Sequence, residues 1–391
     1  MHVRTSVVAI AAVAAAALAV PTASAGPRAA HTEPVSVTPE GRAGGDASHN
    51  AVISPDGRYV GFDSRAEDLD PDVPHGGMYI RDLRTGQLRF SGFGGILAVL
   101  NDGRYVYYQN DVVLHDPRTG QETKFGIEVP EGFEGPIGEV SVSANARYAV
   151  FTLRETGGGG VVFLRDRIAG TTERISHPKP TWEPRNASSP TVSDDGKRIV
   201  YQYNYANGPR GDDWGDVWMY DRTTGKRTQI DRSHDGSQTQ RESLEPSISG
   251  DGRTVVFESA DTHLVTDDTD GSWNVFVHTI ATGVNQRIHV SPSQVWTRDP
   301  AVSANGRYVT FTGRVEGLPG GTRNPVYLRD LKKGTTTLVT PGPGGDPVSA
   351  QVEPGGIADG ARRITFVSWD GTLIPGGDTN EERDVFVRHL R

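Results

Sequence analysis

Ser54-Pro55-Asp56-Gly57-Arg58-Tyr59-Val60-Gly61-Phe62 is the stretch on which the fold turns, because the rest of the chain repeats it. It returns as Asn101-Asp102-Gly103-Arg104-Tyr105-Val106-Tyr107-Tyr108 and as Ser143-Ala144-Asn145-Ala146-Arg147-Tyr148-Ala149-Val150-Phe151. Further copies run from Ser193 to Tyr201, Ser249 to Phe257 and Ser303 to Phe311, with a variant from Asp359 to Phe366. Asp-Gly or Asn-Gly between two apolar runs reads as a two-residue hairpin turn, in which both central residues take positive φ and Gly does so without a Cβ penalty. An apolar strand such as Ala51-Val52-Ile53 precedes each turn, and an alternating strand follows it.

Working outward, each unit carries a second marker. Met78-Tyr79-Ile80-Arg81-Asp82 has counterparts at Val112 to Asp116, Val162 to Asp166, Val217 to Asp221, Val275 to Thr279, Val326 to Asp330 and Val385 to His389. A Gly follows the Asp at a fixed offset, as in Gly86, Gly120, Gly170, Gly225 and Gly334. This is a third strand, a turn and a short fourth strand. The aromatic ends of the second strands, Phe62, Tyr108, Phe151, Tyr201, Phe257, Phe311 and Phe366, are spaced by 43 to 56 residues, close to the period of four-stranded propeller blades. Pro34 to Thr38 resembles a fourth strand with no unit before it, and the last unit stops after its third strand. The two deficits are complementary. The expected fold is all-β: a single seven-bladed β-propeller of four-stranded antiparallel blades, closed by the N-terminal strand completing the last blade.

Composition agrees. The 391 residues include 48 Gly and 25 Pro, a balance suited to many short strands and turns. Residues 1–25 read as a secretory leader, with Arg4, an apolar run from Val7 to Val20, and small residues at Ala23 and Ala25 before the cleavage point. Residues 26–33 read as a flexible lead-in and 34–391 as the propeller domain. No later stretch is apolar enough to span a bilayer. The chain is thus expected to be secreted or extracytoplasmic, and a monomer. The absence of cysteine excludes disulfides, thiolate zinc sites, a thiol nucleophile and a lipoprotein anchor, a style that fits bacterial secretion. A net charge of −9 with dispersed arginines argues against nucleic acid as partner.

The paired Ser-x-Asp-Gly-Arg-x-Val-x-Phe strands, with the downstream Val-Phe-Val-Arg-Asp and Thr-Gly, resemble the repeats of TolB-like β-propellers, also seen as the propeller of prolyl-oligopeptidase-like enzymes. The similarity covers Pro34 to Arg391. It implies a propeller fold, here without the N-terminal domain of TolB or a hydrolase domain. The Gly-x-Ser-x-Gly elbow of such hydrolases does not occur in the sequence.

Function is expected on the face where the long links open, since irregular loops on a rigid scaffold carry binding. Trp182, Trp214, Trp273, Trp296 and Trp369 fall in or beside those links, with Arg185, Arg241 and Arg298 near them. Their aromatic faces suit a protein, peptide or cell-wall glycan partner, although a tryptophan can equally staple a loop to the blade below. His49, Glu139, Glu183, Glu245 and Asp299 each just precede an inner strand and so could converge on the mouth of the central channel. Alternating oxygen ligands in Asp268-Thr269-Asp270 and Asp378-Thr379-Asn380 resemble part of a calcium loop, and the same residues also serve as turn caps. The repeated Asp56, Asp102, Asp195 and Asp251, and the series Asp82, Asp116, Asp166, Asp221 and Asp330, recur in nearly every unit and are read as shaping it. The primary expectation is a binding or scaffolding module without a cofactor. The alternative is a propeller enzyme, a glycan lyase, hydrolase or lactonase, working at the channel mouth.

Overall fold

The computed structural model describes residues 29–390, apart from 74, 177–184, 206–214, 292–293, 316–323 and 379. Seven antiparallel sheets follow one another along the chain. The first comprises Ser48–Ile53, Tyr59–Ser64, Gly77–Asp82 and Leu88–Phe90, and the second Gly95–Val99, Tyr105–Tyr108, Val112–Asp116 and Gln121–Lys124. The third, Val140–Val142, Tyr148–Glu155, Gly160–Asp166 and Thr171–Arg174, gains an extra short strand, Phe133–Glu134. The fourth, fifth and sixth begin at Arg185–Val192, Ser243–Ile248 and Gln294–Val302. Among the described residues the only helical elements are two three-residue 3-10 turns, and no helix is long and apolar enough to cross a membrane.

The seventh blade shows how the ring closes. Arg363–Ser368 pairs with Asp384–His389, which pairs on its other edge with His31–Pro34 in the register His31↔His389 to Pro34↔Phe386. The closing strand therefore starts three residues before the expected Pro34, inside the segment read as a lead-in. Its hydrogen bonding continues past Pro34, where Val35 N–H donates to Val385 O at 2.8 Å. The innermost strand of this blade is reduced to bridges at Gln351↔Val367 and Ile357↔Ile364. Val35, Val385 and Val387 share one buried cluster with Ala51, Val60 and Phe62, so blade seven packs on blade one and a linear stack is ruled out.

Five of the blades are held by an aromatic pair. An aromatic within the second strand stacks on one in the third: Phe62–Tyr79, Phe151–Phe163, Phe257–Phe276, Phe311–Tyr327 and Phe366–Phe386, with centroids 5.3 to 5.9 Å apart. Burying each such side chain contributes about 1.5–3 kcal/mol. The repeated Arg and Asp form another pair: Arg58–Asp82 at 2.6 Å, Arg147–Asp166 at 2.9 Å and Arg307–Asp330 at 2.7 Å. The recurring aspartates thus shape the unit.

The Asp-Gly turn is built differently from the two-residue turn expected. Ser54 N–H donates to Tyr59 O at 2.8 Å and Gly57 N–H to Ser54 O at 2.7 Å, which makes a four-residue loop. Only Gly57 is left-handed, at φ 76°. Ser54 Oγ donates to Asp56 Oδ1, which also accepts Arg58 N–H, so the side chains keep Asp56 out of the left-handed region. In blade three the left-handed position is taken by Ala146, at φ 55°.

Candidate functional site at the channel mouth

A central cavity of about 460 Å³ is lined by the inner strands of all seven blades. Its middle is apolar, with Val52, Val99, Val142, Val192, Ile248 and Ile357. Its ends are acidic. Where the inner strands begin stand Glu139, Glu245 and Glu353, and where they end stand Asp194 and Asp359.

The first mouth is built by a backbone device repeated in four blades. Asn50, Ser189, Glu245 and Asp299 occupy the same position in their inner strands and are all left-handed, with φ between 48° and 54°. Each sits at a register shift between the inner and second strands. Such bulges re-aim a side chain, and a left-handed non-glycine residue is uncommon enough to draw notice. Three of the four precede a proline, Pro190, Pro246 or Pro300, and Glu353 precedes Pro354 in blade seven. The recurring acid-proline step was the available sequence signal for Glu353.

Carboxylates on the second strands tie neighbouring blades together under this mouth. Asp63 accepts Asn50 Nδ2–H at 2.8 Å from its own blade and Ile96 N–H at 3.1 Å from the next. Burial pushes the Asp63 carboxyl up to about 6, against the lowering effect of its two hydrogen bonds. Glu258 plays the same part between blades five and six. It accepts Arg298 Nη2–H at 2.7 Å and Asp299 N–H at 3.0 Å and is 1% exposed. Neither was singled out in the sequence, because each follows the strand aromatic and looks like an ordinary alternating polar residue.

Of the residues expected at the mouth, Glu139, Glu245 and Asp299 do converge. Glu245 is held above the ordinary carboxylate range by partial burial, then by Glu258, Glu139, Asp299 and Glu353. It reaches solvent through the channel while the surrounding blades enclose it. Glu353 is raised by burial and by Asp299, with Arg383 opposing. Glu139 accepts the Ser189 N–H. His49 is half-buried beside Arg383 and Arg65, and burial first, then those two charges, disfavour its protonation. Glu183 lies outside the described residues, as do Trp182, Trp214 and the side chain of Arg185.

Around the rim, Arg298 lies over the Trp273 ring at 4.5 Å and Arg383 over Trp369 at 5.0 Å. Trp369 is 53% exposed. Trp296 is half-buried within its strand opposite Arg314. Arg241 is exposed on the link into blade five, where its N–H donates to Asp261.

The calcium-like loops are internally engaged. Arg287 reaches Asp268 at 2.8 Å and Asp270 at 3.3 Å, and Asn274 Nδ2–H donates to Asp268 at 3.1 Å. Asp378 accepts Asn380 N–H at 3.0 Å, and Asn380 Nδ2–H donates to Gly44 O. Among the described residues, a His/Glu group able to take a transition metal lies at the seam, where His31, Glu33 and His389 meet. His389 Nε2 is 3.0 Å from Glu33 Oε2, and the two imidazoles stack at 4.4 Å.

No protein-family model matches the sequence, and no curated protein matches it. Solved structures are similar in fold. Oligogalacturonate lyase from Vibrio parahaemolyticus is 13% identical and matches 93% of this chain and 98% of its own with a TM-score of 0.59. An oligogalacturonate lyase in complex with manganese gives 0.58 at 13% identity, over 93% and 97% of the two chains. The β-propeller domain of the Trilobed protease from Pyrococcus furiosus gives 0.52 at 10% identity, over 88% and 95%. TolB from Acinetobacter baumannii, 14% identical over 87% of this chain and 78% of that one, has a TM-score of 0.41. What the chain shares with the lyase and the protease domain is the propeller.

Proposed function

We propose that this protein is an exported β-propeller binding module that takes a basic segment of a protein or peptide partner at the acidic mouth of its channel. One observation carries this reading: Glu139, Glu245, Glu258, Asp299 and Glu353 gather around one opening. Arg298, beside Glu258, and Arg383, near Glu353, offset only part of that charge. Carboxylates crowded together in a partly dry cavity favour an incoming cation, which relieves their repulsion. Exposed Trp369 and half-buried Trp273 at the rim supply aromatic faces for a lysine or arginine stem. Export rests on the leader sequence of residues 1–25.

The test is calorimetry of the mature chain with a lysine-rich decapeptide and an acidic one. Binding of the basic peptide alone, weakened by salt and by Glu245→Gln with Glu353→Gln, is the expected result. Equal heats from both peptides, or none, would refute it.

A second reading, a lyase or hydrolase, is favoured by one observation: the Glu245 and Glu353 carboxyls are both raised above the ordinary range, by burial first and then by neighbouring acids, the direction that a general acid requires. Oligogalacturonate, the substrate named for the structurally similar lyases, is a polyanion that this mouth would repel. Release of an unsaturated product on mixing the protein with oligogalacturonate would favour the enzyme over the binding module.

A further inference from the structure

On the outer side of the ring, blades four and five stand apart around a cleft of about 830 Å³, against about 460 Å³ for the central cavity. Comparison of the repeats gives the reason for the gap. The fourth position of the third-strand motif is Arg81, Arg165, Arg329 and Arg388 in blades one, three, six and seven. Arg81 Nη1–H donates to Val35 O at 3.4 Å and Arg165 Nε–H to Phe125 O at 2.8 Å, each the carbonyl that follows the outer strand of the preceding blade. In blade four the position is Tyr220, and Arg227 lies over its ring at 4.5 Å and donates to Ile175 O at 2.7 Å. In blade two it is His115, stacked on Tyr105 at 4.9 Å. Blade five has His278, shorter than arginine and with neither a ring nor a cation against it among the described residues. Asn285, from the outer strand Val284–Arg287, reaches across instead, its Nδ2–H donating to Ile230 O at 3.3 Å and Arg232 O at 3.2 Å. The long stem that closes the wedge elsewhere is missing, and the cleft is what remains.

The buried part of the lining is polar and unmatched. Gln229, Ser233 and the Arg287 side chain are 4%, 5% and 8% exposed, and all three line the cleft. Gln229 Oε1, Ser233 Oγ and Arg287 Nε have no hydrogen-bond partner among the described residues, a state that folded proteins rarely leave in place. His278 adds an acceptor. Two carbonyls fix the amide nitrogen of Asn285, so its Oδ1 faces His278 Nδ1 at 2.8 Å and Nδ1 carries the proton. Burial disfavours a second proton on that ring, which leaves Nε2 with its lone pair. Buried Ile230 and Leu264 supply an apolar wall, and Val284 stands 58% exposed at the edge. Lys226 and Arg232 are exposed cations on the rim. The acid facing them, Asp267, is 3.5 Å from His289.

We propose that this cleft is a second binding site and takes a short acidic sugar chain. The donors, Arg287 Nε–H, Ser233 Oγ–H and the rim cations, ask for a carboxylate. The acceptors, Gln229 Oε1 and His278 Nε2, ask for hydroxyls, and the apolar wall asks for a C–H face. A sugar acid carries all three, and the volume lies within the range of about 300–1,000 Å³ typical of small-molecule sites. The acidic channel mouth repels the same ligand, so the two sites select opposite charges.

The test is a titration of the full mature chain, followed by saturation-transfer NMR, with a disaccharide of glucuronic acid and glucose and, as its neutral match, with cellobiose. The acidic disaccharide should bind several-fold more tightly than cellobiose. His278→Arg, which installs the side chain of the sibling blades, should fill the cleft and lose that binding while melting within a few degrees of the wild type. Should His278→Arg not fold, Lys226→Glu with Arg232→Glu, both exposed, decides by weakening the acidic disaccharide to the level of cellobiose. A wild type that binds neither sugar, or both equally, overturns the proposal, as does a filled or charge-reversed cleft that still binds the acidic disaccharide in full.

Discussion

Ser36 Oγ donates to Asp384 Oδ1 at 2.7 Å across 348 positions of sequence, joining the segment just after the strand His31–Pro34 to the start of the strand Asp384–His389. The same oxygen accepts Val385 N–H at 2.9 Å, and both residues are buried, at 0% and 2% exposure. Ser36→Ala removes a donor from a buried carboxyl and an acceptor from a buried amide. It should cost about 2–3 kcal/mol, the usual penalty of leaving such groups unpaired. Deleting His31 to Ser36 should cost more, since it also reopens a strand edge. Urea unfolding measures both, and a deletion that unfolds at the wild-type midpoint would show that the N-terminal strand does not close the ring.

Stability should depend on pH through acids pushed in opposite directions. Asp384 is raised to about 7 by burial, with Ser36 opposing, and Asp63 to about 6. A raised carboxyl favours folding while it holds its proton, so this contribution is complete below the unfolded value near 4 and is lost as the pH rises through 6 and 7. Asp330 is lowered to about 2 by Arg307. Its contribution is present above pH 4 and is lost as the pH falls toward 2, amounting to about 1 kcal/mol once solvent screening is allowed for. Between pH 4 and 7 the wild type should therefore lose stability, and Asp384→Asn should flatten that slope. Chemical denaturation at several pH values reads it directly, and an unchanged slope in the variant would remove Asp384 from the account.

The fold was legible because its signal is redundant. Seven copies of one hairpin, each with an aromatic and several with an Arg-Asp pair at fixed offsets, leave few ways to misread them. The turn itself was misread because the sequence shows Asp-Gly but not that Ser54 Oγ reaches Asp56, a contact made by a side chain that the two-residue rule ignores. Half of the mouth was legible. Glu139, Glu245 and Asp299 follow from their place before inner strands, whereas Asp63 and Glu258 act between blades, and only the ring geometry reveals which neighbour they touch.

Glu258 should prove the most sensitive acid of the mouth. It is 1% exposed and carries Arg298 at 2.7 Å and the Asp299 amide at 3.0 Å from the neighbouring blade. Glu258→Ala leaves the guanidinium half-buried without its carboxylate, a loss of about 3 kcal/mol by analogy with other broken buried pairs. Pairing it with Arg298→Met should recover part of that, because the stranded charge is then gone. A double variant no more stable than Glu258→Ala would place the cost in the backbone contact to Asp299 instead.

Trp369 and Trp273 separate recognition from stapling at the rim. Arg383 lies over Trp369 at 5.0 Å, but the ring is 53% exposed, so the contact contributes about 0.5–1 kcal/mol. Trp273 is half-buried beneath an arginine that is itself fixed by Glu258. Trp369→Ala should leave the unfolding midpoint nearly unchanged while weakening the lysine-rich peptide several-fold, and Trp273→Ala should lower both. If Trp369→Ala binds the peptide as the wild type does, the exposed aromatic is a surface residue with no part in recognition, and the partner must contact the carboxylates alone.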